Sequence, residues 1–283
     1  MNLKQYVIAI PSYKRANTLN TKTLKLLQEY NIDKERIYIF VADDEEKETY
    51  TNTIDKYYNQ IIVGEPGIKN IRNFMPNYFE EGQYIVYMDD DLYRIEECVN
   101  DDLLEDKKFN VLQRLPLLHY FIEDAFKTIE NNKFGCWGVY PVYNPYFMKP
   151  NNDDINKYTT TKLCYIIGFL TGCINDRDCE IRTIDDKEDV ERSIKYYLKY
   201  DGSVRFNNIT AYTKCYKEPG GMQILRTKKR IHDSAVYLVE QYPELCTLNT
   251  SKKSGYSEIR LRDKRIDKPN YKLIKDNPLQ IVA

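Results

Sequence analysis

The sequence predicts an α/β fold: a mixed, largely parallel sheet flanked by helices. Three observations carry that prediction. Short β-branched and aromatic runs recur through residues 6–91, and a helical pattern follows each of the first three. The spacing leaves room for a helical crossover between successive strands, as a parallel sheet requires. Each run also stops abruptly at a polar cluster: Pro11-Ser12-Tyr13, Asp43-Asp44 and Asp89-Asp90-Asp91. In an open α/β sheet such clusters share the rim beyond the strands' carboxyl ends, where ligands bind.

The elements follow in order. YVIAIPSYKR is a short strand ended by Pro11, and helical periodicity follows through Leu19, Leu24, Leu26 and Leu27. RIYIFVADDEE is a second strand ending in acids, and EKETYTNTIDKYY a helix. QIIVGEPG is a third strand with a Gly/Pro stop. IKNIRNFMPNYF is helical, with Ile68, Ile71 and Phe74 on one face and an end or bend at Pro76. QYIVYMDDDLY then delivers three adjacent carboxylates. Beyond it, residues 109–131 read as a long amphipathic helix disturbed at Pro116, and residues 144–160 as a loop. FGCWGVYPVY, LCYIIGFLTGCIN and GSVRFNNITAYTK read as strands, residues 182–200 and 226–243 as helices.

Composition bounds the function. The chain has 283 residues, 42% hydrophobic and 30% charged, which fits a globular domain with ample core. A net charge of −1 gives no global attraction to nucleic acid. Residues 251–275 nevertheless hold nine basic residues against three acidic ones, a segment suited to phosphates or to plain solvation. We therefore expect one domain over residues 1–250 and a basic C-terminal segment over 251–283. Seven scattered cysteines form no CxxC pair, which fits buried thiols in a reducing compartment. No signal peptide or membrane-length apolar run is present, so the expectation is a cytoplasmic protein with no membrane partner.

Several motifs each carry two readings. Asp89, Asp90 and Asp91 repel one another unless a cation lies between them, and oxygen-only ligands suit Mg²⁺ or Mn²⁺ shared with substrate phosphates. The competing reading is a solvated acidic turn. In TIDDKEDVERS, Asp185 with Glu188 matches a helix-capping pattern. Five acids in seven residues exceed what a cap needs, and a carboxylate at a helix start would serve as a general base; Asp189 is the first candidate and Asp186 the second. GFLTGC, with Gly172, is either a strand kinked for packing or a close backbone approach to a sugar. Lys69, Arg72 and Asn73 would meet a phosphate or sugar, or simply be solvated. EPGGMQ (218–223) is a turn, with a mobile loop over a diphosphate as its functional reading. Trp137 is a core residue or a sugar platform, and His232 lies on an amphipathic helix.

Taken in order, these residues resemble the glycosyltransferases of the GT-A fold. IPSYKR resembles that family's nucleotide-binding strand, which implies contacts from Pro11, Ser12, Tyr13 and Arg15. VADDEE resembles its uracil-contacting acids, here Asp43 and Asp44. GIKNIRN is similar to the helix facing the nucleotide sugar, and MDDD to the metal-binding Asp-x-Asp, here Asp89 and Asp91 with Asp90 between them. IIGFLTG resembles the acceptor and sugar segment. KEDVE resembles the Glu-Asp motif, which makes Asp189 the base of an inverting enzyme beside Glu188. His232 lies where many members place a late metal-binding histidine. Within the fold, IPSYKRA, the triple Asp and GGMQ look most like the TET-associated glycosyltransferase group of phages and large viruses, which would put the protein in host cytoplasm. The resemblance implies Mn²⁺ or Mg²⁺, a UDP-sugar donor, and hexose transfer to a hydroxyl, with hydroxymethylated pyrimidine in double-stranded DNA as acceptor. A protein or surface-glycan acceptor is the alternative. A nucleotidyltransferase is the rival from another class, but PSYKR stands where its glycine-rich phosphate loop would be. A binding module without catalysis is the remaining rival; the retained Asp triplet and the Glu188-Asp189 pair speak against it.

Overall fold

The first β-branched run forms strand β1 (Val7–Pro11) in the computed structural model, which describes residues 5–100, 110–149, 154–155, 157–213, 227–249 and 255–263. With β2 (Ile37–Val41), β3 (Gln60–Val63) and β4 (Tyr84–Met88) it makes a parallel block in the order β3-β2-β1-β4. The sheet continues through β9 (Leu170–Ile174), β7 (Cys136–Tyr140), β10 (Val204–Tyr212), β5 (Arg94–Asn100) and β6 (Asn110–Arg114), and β8 (Thr159–Thr160) pairs with β10. Only β5, β8 and β9 run against the other seven strands, so the sheet is mixed but largely parallel.

Alternation along β4 decides what each face carries. Tyr84, Val86 and Met88 join the core that packs α1 (Ala16–Leu19), α2 (Lys25–Glu29), α3 (Asp44–Thr53) and α5 (Leu118–Asn131). Ile85 and Tyr87 point the other way, toward α4 (Ile68–Tyr78) and α7 (Glu188–Tyr200). A third core joins the outer side of α7 to α8 (Lys228–Gln241) and the hairpin β11 (Cys246–Asn249) and β12 (Glu258–Leu261). The amphipathic pattern of α7 is thus two-sided: Tyr196 faces the sheet, whereas Val190, Ile194 and Tyr197 face α8.

Several sequence expectations need correction. Residues 109–131 are not one helix: Asn110–Arg114 pairs with β5, and the helix starts at Leu118, after Pro116. The strand expected over LCYIIGFLTGCIN is confined to Leu170–Ile174. Pro76 sits inside the last turn of α4, where the buried Asn175 amide donates to the carbonyls of Pro76 and Glu80 at 2.9 and 2.8 Å. Part of the basic segment is folded: Glu258–Leu261 pairs with β11, whereas residues 264–283 lie outside the described residues. Residues 218–223 also lie outside them. The six described cysteines are all buried free thiols. No helix among the described residues is long and apolar enough to cross a membrane.

Candidate active site

The acidic end of β4 is held from both sides of the sheet. Asp89 continues the Tyr87 side and accepts from Arg72 Nη2 at 2.8 Å, with 37% of its side chain open to solvent. Asp90 points to the opposite side, where Ser12 donates to it at 2.6 Å and Arg15 Nη1 at 3.2 Å. Ser12 in turn accepts from the Tyr50 hydroxyl at 2.7 Å. Thr23, in the π-helical turn Asn20–Leu24 between α1 and α2, donates to the Asp89 carbonyl and accepts from Leu92 N–H. The DDD turn is therefore a fixed structure rather than a loose acidic loop.

Burial acts on two of these carboxyls. Burial pushes Asp90 up to about 6 against the pull of Ser12 and Arg15. Burial and the charges of Asp89 and Asp90 push Asp91 up to about 7. Burial and two neighbouring carboxylates both disfavour the charge on Asp91, and a divalent cation would relieve it. No set of three or more His, Cys, Asp or Glu side chains is arranged for a metal among the described residues. The donor set accordingly suits a hard cation bound by one or two carboxylates and completed by phosphates and water, rather than a closed protein cage. His232 is not brought to this turn: it is exposed, and its Nδ1 lies 2.8 Å from Ser257 Oγ. It stands two positions from Arg230, which bonds Asp186, so the two project from nearly opposite sides of α8.

The second acidic cluster also resolves residue by residue. Asp185 is not a helix cap: α7 begins at Glu188 after Lys187, which adopts a left-handed conformation with φ 61°. Asp185 instead accepts from the Lys69 backbone N–H, Asp186 from Arg230, Glu188 from Arg182 Nε at 2.9 Å, and Glu191 from Thr183. Among the described residues neither Asp185 nor Asp189 bonds another side chain, and the Asp189 Oδ1 takes only the N–H of its own neighbour Val190, at 2.9 Å. Burial and the adjacent Glu188 charge push its carboxyl up to about 6.

Arg72 joins the two clusters. It lies on α4, is 5% exposed, and reaches Asp89 through Nη2 and Glu188 Oε1 across 3.7 Å from Nε. Behind it Arg182 and Arg192 both pair with the fully buried Glu180, at 3.1 and 2.8 Å, and Tyr196 donates to Glu180 at 2.7 Å. Burial alone would raise Glu180, but the Arg192 and Arg182 charges hold it at about 2. A small cavity beside this ladder is lined by Arg72, Gly168, Glu188 and Asp189.

Other expected residues take positioning roles. Asn73 accepts from Arg182 N–H at 2.7 Å and donates to its carbonyl at 3.0 Å, which stitches α4 to the loop before α7. Asp43 caps α3 through Glu46 N–H, and Asp44 opens the helix; both are exposed. Pro11 ends β1 and Tyr13 is 39% exposed at the same rim. Gly172 lies inside β9 under Trp137: a Cβ there would sit 2.4 Å from the indole. The structure gives both residues a packing role, and Gly168 is the glycine that closes on Arg72. Tyr50, Thr23, Glu180, Arg182 and Arg192 were not among the expected site residues. The one signal for the arginines is a pair of cations that flank an acid-rich helix start.

No protein-family profile and no curated protein matches this chain. Among solved structures it is similar to a mannosyltransferase from Pyrobaculum calidifontis in complex with GDP-Man and Mn²⁺ (13% identity, TM-score 0.45, 75% of this chain and 58% of that one). It is also similar to GalNAc-T7 with UDP, GalNAc and Mn²⁺ (12% identity, TM-score 0.48, 85% and 49%) and to a mycobacterial protein (8% identity, TM-score 0.44, 92% and 84%). The chain thus spans about half the length of the two transferases. With identities of 8–13% and TM-scores below 0.5, these likenesses carry no argument about donor, acceptor or mechanism.

Proposed function

We propose that the protein is a metal-dependent GT-A glycosyltransferase that moves a hexose from a UDP-sugar to a hydroxyl with inversion. The observation that carries this reading is Asp189: a carboxylate at a helix start, with no side-chain partner among the described residues, next to Glu188, which Arg72 links to the acidic rim at Asp89. Its carboxyl, near 6, is mostly ionised at neutral pH yet basic enough to take a proton from an acceptor hydroxyl. Asp89 and Asp91 would hold Mn²⁺ or Mg²⁺, which offsets charge on the departing diphosphate. Arg15 and Ser12 orient Asp90 and so shape the floor of the nucleotide end. Arg72 keeps Asp89 turned toward the rim.

The acceptor is proposed from sequence: a hydroxymethylated pyrimidine in DNA, with a protein or surface glycan as the alternative. The experiment is UDP release from a panel of UDP-sugars with Mn²⁺, in the presence of 5-hydroxymethylcytosine DNA, plain DNA or no acceptor. Release that depends on hydroxymethylated DNA supports the DNA acceptor. Metal-dependent release indifferent to DNA moves the acceptor to a protein or glycan. No UDP–Mn²⁺ binding at all overturns the donor assignment.

A further inference from the structure

Three residues that line one cavity each carry a buried polar atom with no hydrogen bond among the described residues, although Arg72 Nε has Glu188 Oε1 within ion-pair range at 3.7 Å. The atoms are Arg72 Nε, Tyr87 Oη and Arg192 Nη2, which make no hydrogen bond among the described residues, and their residues are 5%, 2% and 3% exposed. All three residues line the same cavity of about 10 Å³, room for roughly one water centre, and Asp189 and Gly168 line it too. The convergence has a sequence origin. Tyr87 projects from β4 on the Asp89 side, Arg72 comes from α4, and Arg192 is one turn beyond Asp189 on α7. Arg192 is held in place by Glu180 through Nε and lies over the Tyr87 ring at 5.5 Å, so its free Nη2 is aimed rather than loose. Buried donors left unpaired are costly, and three around one small space call for an oxygen acceptor.

The geometry points to an oxygen-binding pocket: one ordered water fills it in the free protein, and the acceptor hydroxyl oxygen occupies it during transfer. The second half rests on the glycosyl-transfer reading above. A neutral hydroxyl oxygen has two lone pairs, whereas an alkoxide has three, so three donors complement the deprotonated form. In the transfer step the hydroxyl proton moves to the Asp189 carboxylate. The oxygen bonds the anomeric carbon, and the carbon–diphosphate bond breaks with its electron pair on UDP. Arg72, Arg192 and Tyr87 bear on the charge growing at the oxygen, in a site from which bulk water is excluded. Gly168 keeps the wall thin: a Cβ there would lie 3.2 Å from Arg72 Nη2.

The test is a crystal structure of the free protein at a resolution that shows waters, joined to Tyr87→Phe, which keeps the ring and removes one donor. We expect a single water within hydrogen-bond distance of all three atoms, and a lower Tm for Tyr87→Phe because that water loses a partner. We also expect about a 10-fold or greater loss in UDP release from a UDP-hexose with Mn²⁺, with UDP–Mn²⁺ affinity by calorimetry within about 2-fold of wild type. An empty cavity, or a higher Tm for Tyr87→Phe, overturns the pocket. A bound water with an unchanged release rate overturns the alkoxide role. Failure of the wild type to bind UDP–Mn²⁺ counts against the glycosyl-transfer reading, and the water and the sign of the Tm shift then decide the pocket.

Discussion

Asp189 differs from its acidic neighbours in what it lacks. Asp185, Asp186, Glu188 and Glu191 accept from Lys69, Arg230, Arg182 and Thr183 on other segments, which fixes the start of α7, whereas Asp189 accepts only from the adjacent Val190 N–H among the described residues. Asp189 is left with a carboxyl near 6 and a cavity beside it. The rate of UDP release should therefore rise with pH and level off above about 6, since only the ionised carboxylate accepts a proton. A pH–rate profile from 5 to 8 would check this, and a flat profile would remove Asp189 from the chemistry. The Glu188-Asp189 pair and the Asp triplet are legible in sequence because short acidic motifs survive without structural context. Their partners are not. Whether Arg72 meets Asp89 or solvent depends on which face of α4 lies against the sheet.

Among the elements, α6 (Arg177–Glu180) and α7 carry the buried charges. Glu180 neutralises Arg182 and Arg192 at once, and removing its charge would leave two guanidinium groups buried and unpaired. We expect Glu180→Gln to cost about 3–5 kcal/mol in urea unfolding. Within β9, Gly172→Ala would press a methyl into the Trp137 ring and cost about 1–3 kcal/mol by the same measurement. The parallel block was readable because alternation of strand and helix repeats with short spacing. The β5–β6 edge was not, because NVLQR has residues at home in helices and becomes a strand only through its pairing with β5. The folded end of the basic segment was hidden likewise: Ile259 is buried only through its place beside β11 and α8.

For the whole molecule, charge at the site ties stability to pH. Asp90, Asp91 and Asp189 have raised values, so their contribution is full below about pH 3.8 and is lost as pH rises from there through about 6 to 7. Glu180 has a depressed value, so its contribution is present above about 4.5 and is lost as pH falls toward 2. These groups together place greatest stability between about pH 3 and 4 in metal-free protein, and Tm should fall from pH 5 to pH 7.5. Mn²⁺ with UDP should raise Tm at pH 7.5 by binding the folded state. Thermal melts across pH, with and without Mn²⁺ and UDP, check both signs.

The most direct test of the account measures UDP–Mn²⁺ affinity and UDP release side by side for wild type, Asp89→Asn and Asp189→Asn. The account predicts that Asp89→Asn weakens binding and release together, while Asp189→Asn binds within about 2-fold of wild type and loses about 10²-fold or more in release. An Asp189→Asn protein that releases UDP at the wild-type rate would contradict it.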